Sequence, residues 1–141
     1  MKRGFTLLEL IIVVMIIGVL ATLGFASYGR MVEGARGGEA RDVMGAMRKL
    51  GAAYYIRNQN SLAGLVAADL GLGAGGVPAA CAATHYFSYG FAVAGAQITF
   101  SASRCGAGGK VPNAPAAVPN AVTLATDYGA GTDTWTNIAP Y

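Results

Sequence analysis

The chain opens on one long apolar stretch. From Phe5 to Tyr28 it reads FTLLELIIVVMIIGVLATLGFASY, and Glu9 is the only charged residue in that run. As an α-helix, Phe5 to Gly29 would extend roughly 37 Å at about 1.5 Å per residue. A hydrocarbon core of about 30 Å lies within that reach. After Tyr28 the pattern turns amphipathic: Val43, Met47, Leu50 and Tyr54 recur at spacings of four, three and four, with Glu39, Arg41 and Arg48 off the stripe. This spacing predicts a helix continuing to about Gln59, its stripe forming the face on which a small sheet packs. Gly34, Gly37 and Gly38 make the middle of that helix a weak joint.

Farther along, the helical period gives way. Residues 60–84 are rich in glycine and alanine and predict a connecting loop, with one short helix around Leu62 to Leu70. Tyr86 to Val93 and Gln97 to Ser103 are β-rich and joined by Ala94-Gly95-Ala96, which predicts a hairpin. A third strand, Ala121 to Thr126, follows a link containing Pro112, Pro115 and Pro119, and a glycine-broken tail ends at Tyr141. The fold class expected is α+β: a long N-terminal helix packed on a small antiparallel sheet.

Composition narrows the function. With 141 residues there is room for one modest domain besides the apolar run. The formal charge of +3 falls to +1 if Lys2 and Arg3 are removed, so nucleic acid is not an obvious partner. Cys81 and Cys105 are the two cysteines, there is no Cys-x-x-Cys, and His85 is the sole histidine. A disulfide formed in an oxidising compartment is the better reading than zinc. It would close a loop worth about 3–4 kcal/mol in the chain-entropy model.

Several letter matches lack their context. Gly71-x-Gly73-x-x-Gly76 fits a dinucleotide-binding pattern, but no strand precedes it and Val77-Pro78 blocks the helix that should follow. Gly109-Lys110 lacks the remaining residues of a phosphate-binding loop, and His85 has neither a nearby carboxylate nor a nucleophile motif. No catalytic residue and no cofactor site is expected.

The apolar run has two readings by length, a membrane span or the core of a secretory signal, whose apolar part normally covers about 7–15 residues. Lys2 and Arg3 favour a cytoplasmic N-terminus, Arg30 and Arg36 weaken that preference, and the disulfide places the C-terminal part outside. An ionised carboxylate in a bilayer costs on the order of a few kcal/mol and is usually functional. Near the membrane surface, in the first turns of a helix, the dipole would favour Glu9.

Gly4-Phe5-Thr6-Leu7-Leu8-Glu9, after a short basic leader and before an unbroken apolar helix, resembles the class III signal of the type IV pilin superfamily, which includes type IV pilins and secretion and competence pseudopilins. The resemblance implies that a prepilin peptidase cuts between Gly4 and Phe5, that Phe5 becomes a methylated N-terminus, and that the apolar segment is retained. It also implies that Glu9 meets the N-terminal amine of a neighbouring subunit during assembly, where opposite charge would lower its cost and fix register. The domain organisation expected is then a leader at 1–4, a transmembrane and assembly helix at 5–29, its amphipathic continuation at 30–59 and a globular domain at 60–141.

One departure is that Ala26 stands near the position where many type IV pilins carry proline, leaving Gly18, Gly24 and Gly29 as helix breakers. Relatives also bring calcium into view, because major secretion pseudopilins bind it in a C-terminal loop. Asp127 and Asp133 are weak calcium candidates, since two carboxylates are few for an ion taking six to eight oxygens, and a turn or hairpin is the preferred reading.

The resulting expectation is a structural subunit, not an enzyme. It would be stored in the inner membrane as a single pass with a cytoplasmic N-terminus, delivered to an assembly platform, and polymerised with copies of itself into an extracellular or periplasmic filament. The alternatives are a secretion pseudopilin forming a periplasmic piston, or a DNA-uptake minor pilin using Arg36, Arg41, Arg48, Lys49 and Arg57.

Overall fold

A computed structural model of the chain describes residues 6–73, 75–112 and 121–136. It divides into two compact units, Met1–Glu33 and Gly34–Tyr141. A single helix, α1 (Leu7–Arg57), contributes its apolar part to the first unit and its remainder to the second. Gly34, Gly37 and Gly38 all lie within α1.

In the first unit α1 starts at Thr6, whose Oγ1 accepts the Glu9 N–H at 3.3 Å while its carbonyl accepts the Leu10 N–H at 3.3 Å. That is an N-cap, and Thr6-x-x-Glu9 has capping-box spacing. The large apolar side chains from Leu7 to Phe25 are exposed, so nothing within the described protein covers them. The helix is long and apolar enough to cross a membrane. Thr22, a polar residue inside this run, donates its hydroxyl to the Val19 carbonyl at 2.8 Å, which removes its need for water.

In the second unit a four-stranded antiparallel sheet runs β1 (Phe87–Ala94), β2 (Gln97–Arg104), β3 (Ala121–Asp127) and β4 (Thr132–Thr136) in that spatial order. The fold is α+β and pilin-like. β1 and β2 are joined by Gly95-Ala96, with Gly95 at φ 61°, the positive value that the first position of a glycine-led hairpin turn requires. The register places Phe91 opposite Phe100, Phe100 opposite Leu124 and Leu124 opposite Trp135. These residues therefore share one face, and Phe87, Ile98, Phe100, Val122 and Leu124 are buried in the core.

The α1 seam in that core is Ala40, Met44 and Met47, all at most 1% exposed, with the buried Gly51 completing the row. Of the expected stripe of Val43, Met47, Leu50 and Tyr54, Met47 is buried and Val43 and Tyr54 are half-buried and packed against the core, so the correction is to Leu50, which is 43% exposed. The physical reason is clearance: a Cβ at Gly51 would lie 2.5 Å from Tyr128 Oη and 3.1 Å from Ile98 Cδ1. Small residues set the line of closest approach.

β4 goes beyond the strands expected, which ended at Thr126, while the turn or hairpin preferred for Asp127 to Asp133 is what forms. Its Thr-Asp-Thr-Trp-Thr alternation pairs with β3 from Asp127↔Thr132 to Thr123↔Thr136. Where a short helix was expected around Leu62 to Leu70, the chain forms only a 3₁₀ turn, Ala67–Leu70. The same link sends Leu62, Leu70 and Leu72 into the core.

Candidate functional site

Two places gather chemistry, one in each unit. In the first, Glu9 is exposed at the third helical position, where its backbone N–H is held by Thr6 and the positive end of the helix dipole favours its carboxylate. Capping satisfies one of the four amides that every helix start leaves open. The processing residues expected next to it, Gly4 and Phe5, lie outside the described residues, so the spacing from Glu9 to the future N-terminus rests on sequence.

Residues 1–25 match the family model described as the prokaryotic N-terminal methylation motif. This is the class III signal peptide of type IV pilins. The match supports a type IV pilin-like or pseudopilin protein and points to a structural subunit. It ends within the apolar part of α1, and no curated protein and no solved structure matches the chain. With the exposed apolar helix, the motif is consistent with membrane anchoring before assembly.

The second place is where α1 meets β1. Glu39 Oε1 accepts the Tyr86 N–H at 2.8 Å and the Tyr89 hydroxyl at 3.4 Å, so a helix carboxylate satisfies a strand-end amide and a buried phenol together. Burial, reinforced by the Glu39 charge, pushes the Tyr89 pKa far above its ordinary value. Arg104, 4% exposed at the end of β2, donates to the Tyr86 carbonyl at 3.1 Å and the Pro112 carbonyl at 2.9 Å. Buried cations need such partners, and the planar fork of arginine can serve both.

Cys81 and Cys105 form a disulfide with Cα atoms 5.7 Å apart. It ties the link before β1 to the end of β2, and the Cys105 N–H adds a bond to the Tyr86 carbonyl at 2.9 Å. His85 lies just before β1, with its ring against Thr84 Oγ1 and edge-on to Tyr89. Gly71, Gly73 and Gly76 fold into a turn closed by a bridge between Leu72 and Val77, with no helix after it.

The calcium candidates are placed apart in role. Asp127 Oδ1 accepts the N–H groups of Gly129 and Ala130, each at 2.9 Å, and so closes the β3–β4 turn. Asp133 is bound by Arg48 of α1, at 2.9 Å from Nε and 2.7 Å from Nη2. The register puts Asp133 opposite Thr126 and Asp127 opposite Thr132, so the two carboxylates leave opposite faces of the sheet. Among the described residues no cluster of three or more potential metal-ligating side chains occurs.

The basic residues weighed for DNA are likewise dispersed. Arg48 is paired with Asp133, Arg57 Nε donates to its own helix at Ala53, Arg36 lies against Tyr86, and Arg41 and Lys49 are exposed on α1. Thr6 and the Glu39–Tyr86–Tyr89 group were missed in sequence. Thr-x-x-Glu ahead of an apolar run was a readable signal for the first. The second joins residues nearly fifty positions apart and has no local signature.

Proposed function

We propose that this chain is the structural subunit of a type IV pilus-like filament, stored in the inner membrane and polymerised through α1. The observation that carries the reading is an apolar helix with no cover of its own, started by the methylation motif and bearing one carboxylate one turn in. An apolar surface of that length must be covered by lipid before assembly and by other helices after it. In this reading a prepilin peptidase cleaves between Gly4 and Phe5 and methylates Phe5. The inner-membrane assembly platform then extracts the subunit, and Glu9 meets the Phe5 amine of a neighbouring copy. A charge pair in a medium of low dielectric fixes axial register where apolar contact alone would let helices slide.

The test is Glu9→Ala in the producing cell, read by membrane fractionation and by electron microscopy of sheared fibres. The variant is expected in the membrane, processed to a methylated Phe5 by mass spectrometry, and missing from fibres. Normal fibres from Glu9→Ala would overturn the assembly role. Wild-type cells with no fibre and a deletion strain defective in protein secretion would replace the pilus with a secretion piston.

A further inference from the structure

Two clefts meet at Asn60, just after α1 ends. One, of about 360 Å³, lies between the last turns of α1 and the β3–β4 turn, with Tyr55, Ile56, Tyr128 and Gly129 in its walls. The other, of about 440 Å³, lies between the chain after α1 and the β1–β2 turn, with Ser61, Val93 and Gly95-Ala96 in its walls. Both have the size of small-ligand sites. Among the described residues lining them, none is charged.

The corner that carries Asn60 is strained and braced. The Asn60 N–H donates to the Tyr55 carbonyl at 2.9 Å across the helix end, and Gln59, at φ 54°, stands in the left-handed position where helices usually place glycine. Asn60 follows at φ 60°. Residues with side chains stay left-handed only where their surroundings hold them, and they gather at binding sites. Here Asn58 Nδ2 donates to the Ser61 and Ala63 carbonyls at 3.2 and 3.1 Å, and the Tyr54 hydroxyl donates to the same Ala63 carbonyl at 2.9 Å. Asn60 is exposed and borders both clefts, so its amide reaches a ligand from a fixed place and little freedom is lost on binding.

The walls select the ligand. Tyr55 and Tyr128 stack with centroids 5.6 Å apart and planes 25° from parallel, which makes one side aromatic and flat. Gly129 keeps that side open, because a Cβ there would come within 3.9 Å of Tyr55 Oη. Ile56 and Val93 add apolar surface, 73% and 41% exposed. Ser61 Oγ accepts the Ala63 N–H at 3.1 Å and keeps its own proton to donate. An ion would find no counter-charge here, and a wholly apolar ligand would strip water from the amide and hydroxyls without replacing it. A sugar ring has what the walls ask for, apolar C–H faces for the aromatic side and hydroxyl edges for neutral donors and acceptors. Clefts on either side of one amide suit two linked rings.

We propose that the clefts meeting at Asn60 bind a neutral oligosaccharide, one ring against Tyr55 and Tyr128, the next beside Ser61 and Val93, and the Asn60 amide bonded between them. The site lies wholly within the second unit and does not depend on how α1 polymerises.

The test titrates the full chain, solubilised in a polyoxyethylene detergent that carries no sugar headgroup, with cellobiose and with N,N′-diacetylchitobiose. The equatorial substituents of both leave their ring faces apolar. Binding is read by nuclear magnetic resonance from the backbone amides of Ser61 and Gly129. Saturable shifts with at least one disaccharide are expected, with glucose alone binding more weakly. Affinity should fall about tenfold in Asn60→Gly, which removes the amide and keeps the left-handed backbone, and in Tyr55→Leu, which removes an aromatic wall. Tyr55→Phe keeps that wall and should retain most of the affinity, and Lys49→Gln, on an exposed α1 cation elsewhere, should retain all of it. No saturable shift with either disaccharide would overturn the proposal, as would unchanged affinity in Asn60→Gly or equal weakening by Lys49→Gln. Saturable shifts with the neutral peptide N-acetyl-trialanine amide and none with the sugars would overturn it too, by assigning the clefts to a peptide.

Discussion

Arg48 and Asp133 join α1 to β4 through two parallel contacts, Nε to Oδ1 at 2.9 Å and Nη2 to Oδ2 at 2.7 Å. The geometry is the favourable bidentate one, yet the side chains are 44% and 32% exposed, and solvent screens pairs of that kind. Asp133→Ala is therefore expected to cost about 0.5–1 kcal/mol, less at high salt. Thermal unfolding of the detergent-solubilised chain, followed by near-ultraviolet circular dichroism, should show the same small loss with calcium or with a chelator. Stabilisation by calcium that Asp133→Ala abolished would reassign the carboxylate to a metal.

Glycines on the same helix should respond in opposite directions to the same change. Gly51→Ala drives a methyl to 2.5 Å from Tyr128 Oη, whose hydroxyl is donated to the Arg48 carbonyl at 2.8 Å. Overpacking of this kind costs about 1–3 kcal/mol. At Gly45 nothing lies within 4 Å of a new Cβ, so Gly45→Ala should gain about 0.5–1 kcal/mol from helix propensity and reduced unfolded-state entropy. Denaturant midpoints of the two variants check the sign directly.

The phase of the α1 core face is equally open to measurement. Met44 is fully buried and Leu50 is 43% exposed. Met44→Ala should cost about 2–5 kcal/mol, as a large side chain lost from a packed core does. Leu50→Ala should cost under about 1 kcal/mol, because it loses only part of its buried area and leaves little cavity. Equal losses would restore the stripe through Leu50.

That contrast also explains what was legible in the chain. The apolar run, the length of α1, the β1–β2 hairpin and β3 follow from local period and composition, and the structure has all of them. Leu50 was misplaced because it outranks Gly51 in hydrophobicity, while the close approach of Tyr128 and Ile98 at position 51 leaves no room for a side chain there. The turn or hairpin at Asp127 to Asp133 was legible, but β4 was not named as a strand, because only pairing with β3 makes its five residues one. Glu9 stands out by being charged among apolar neighbours. The clefts at Asn60 join the end of α1 to the β1–β2 and β3–β4 turns, three separate segments that the fold alone assembles.

Alkaline pH should loosen the fold through two tyrosines. Burial raises the Tyr128 pKa to about 12, with Arg48 opposing and Asp133 adding to the rise, and burial beside Glu39 raises that of Tyr89 further. Both groups ionise more readily when unfolded, near pH 10. Their contribution is thus fully present below about pH 10 and is lost as pH climbs through the folded-state values. Stability should fall from there to about pH 12, and Tyr128→Phe should shallow the fall. Absorbance titration of the seven tyrosines is expected to leave a late-titrating fraction that disappears in denaturant.

The disulfide yields a prediction in which its two ends differ. Cys81 and Cys105 are 24 residues apart, and a loop of that length is worth about 3–4 kcal/mol through the entropy it removes from the unfolded chain. Reduction and Cys81→Ser should lower stability by similar amounts, since Cys81 is exposed and a hydroxyl there remains solvated. Cys105 is 1% exposed and packed beside Gly109, so Cys105→Ser also buries a hydroxyl and should be the more damaging variant. Near-ultraviolet circular dichroism of the full chain under denaturant compares all three. A loss below about 1 kcal/mol on reduction would mean that the bonds from Cys105 to Tyr86 and from Lys110 to His85 hold the loop without the sulfur link.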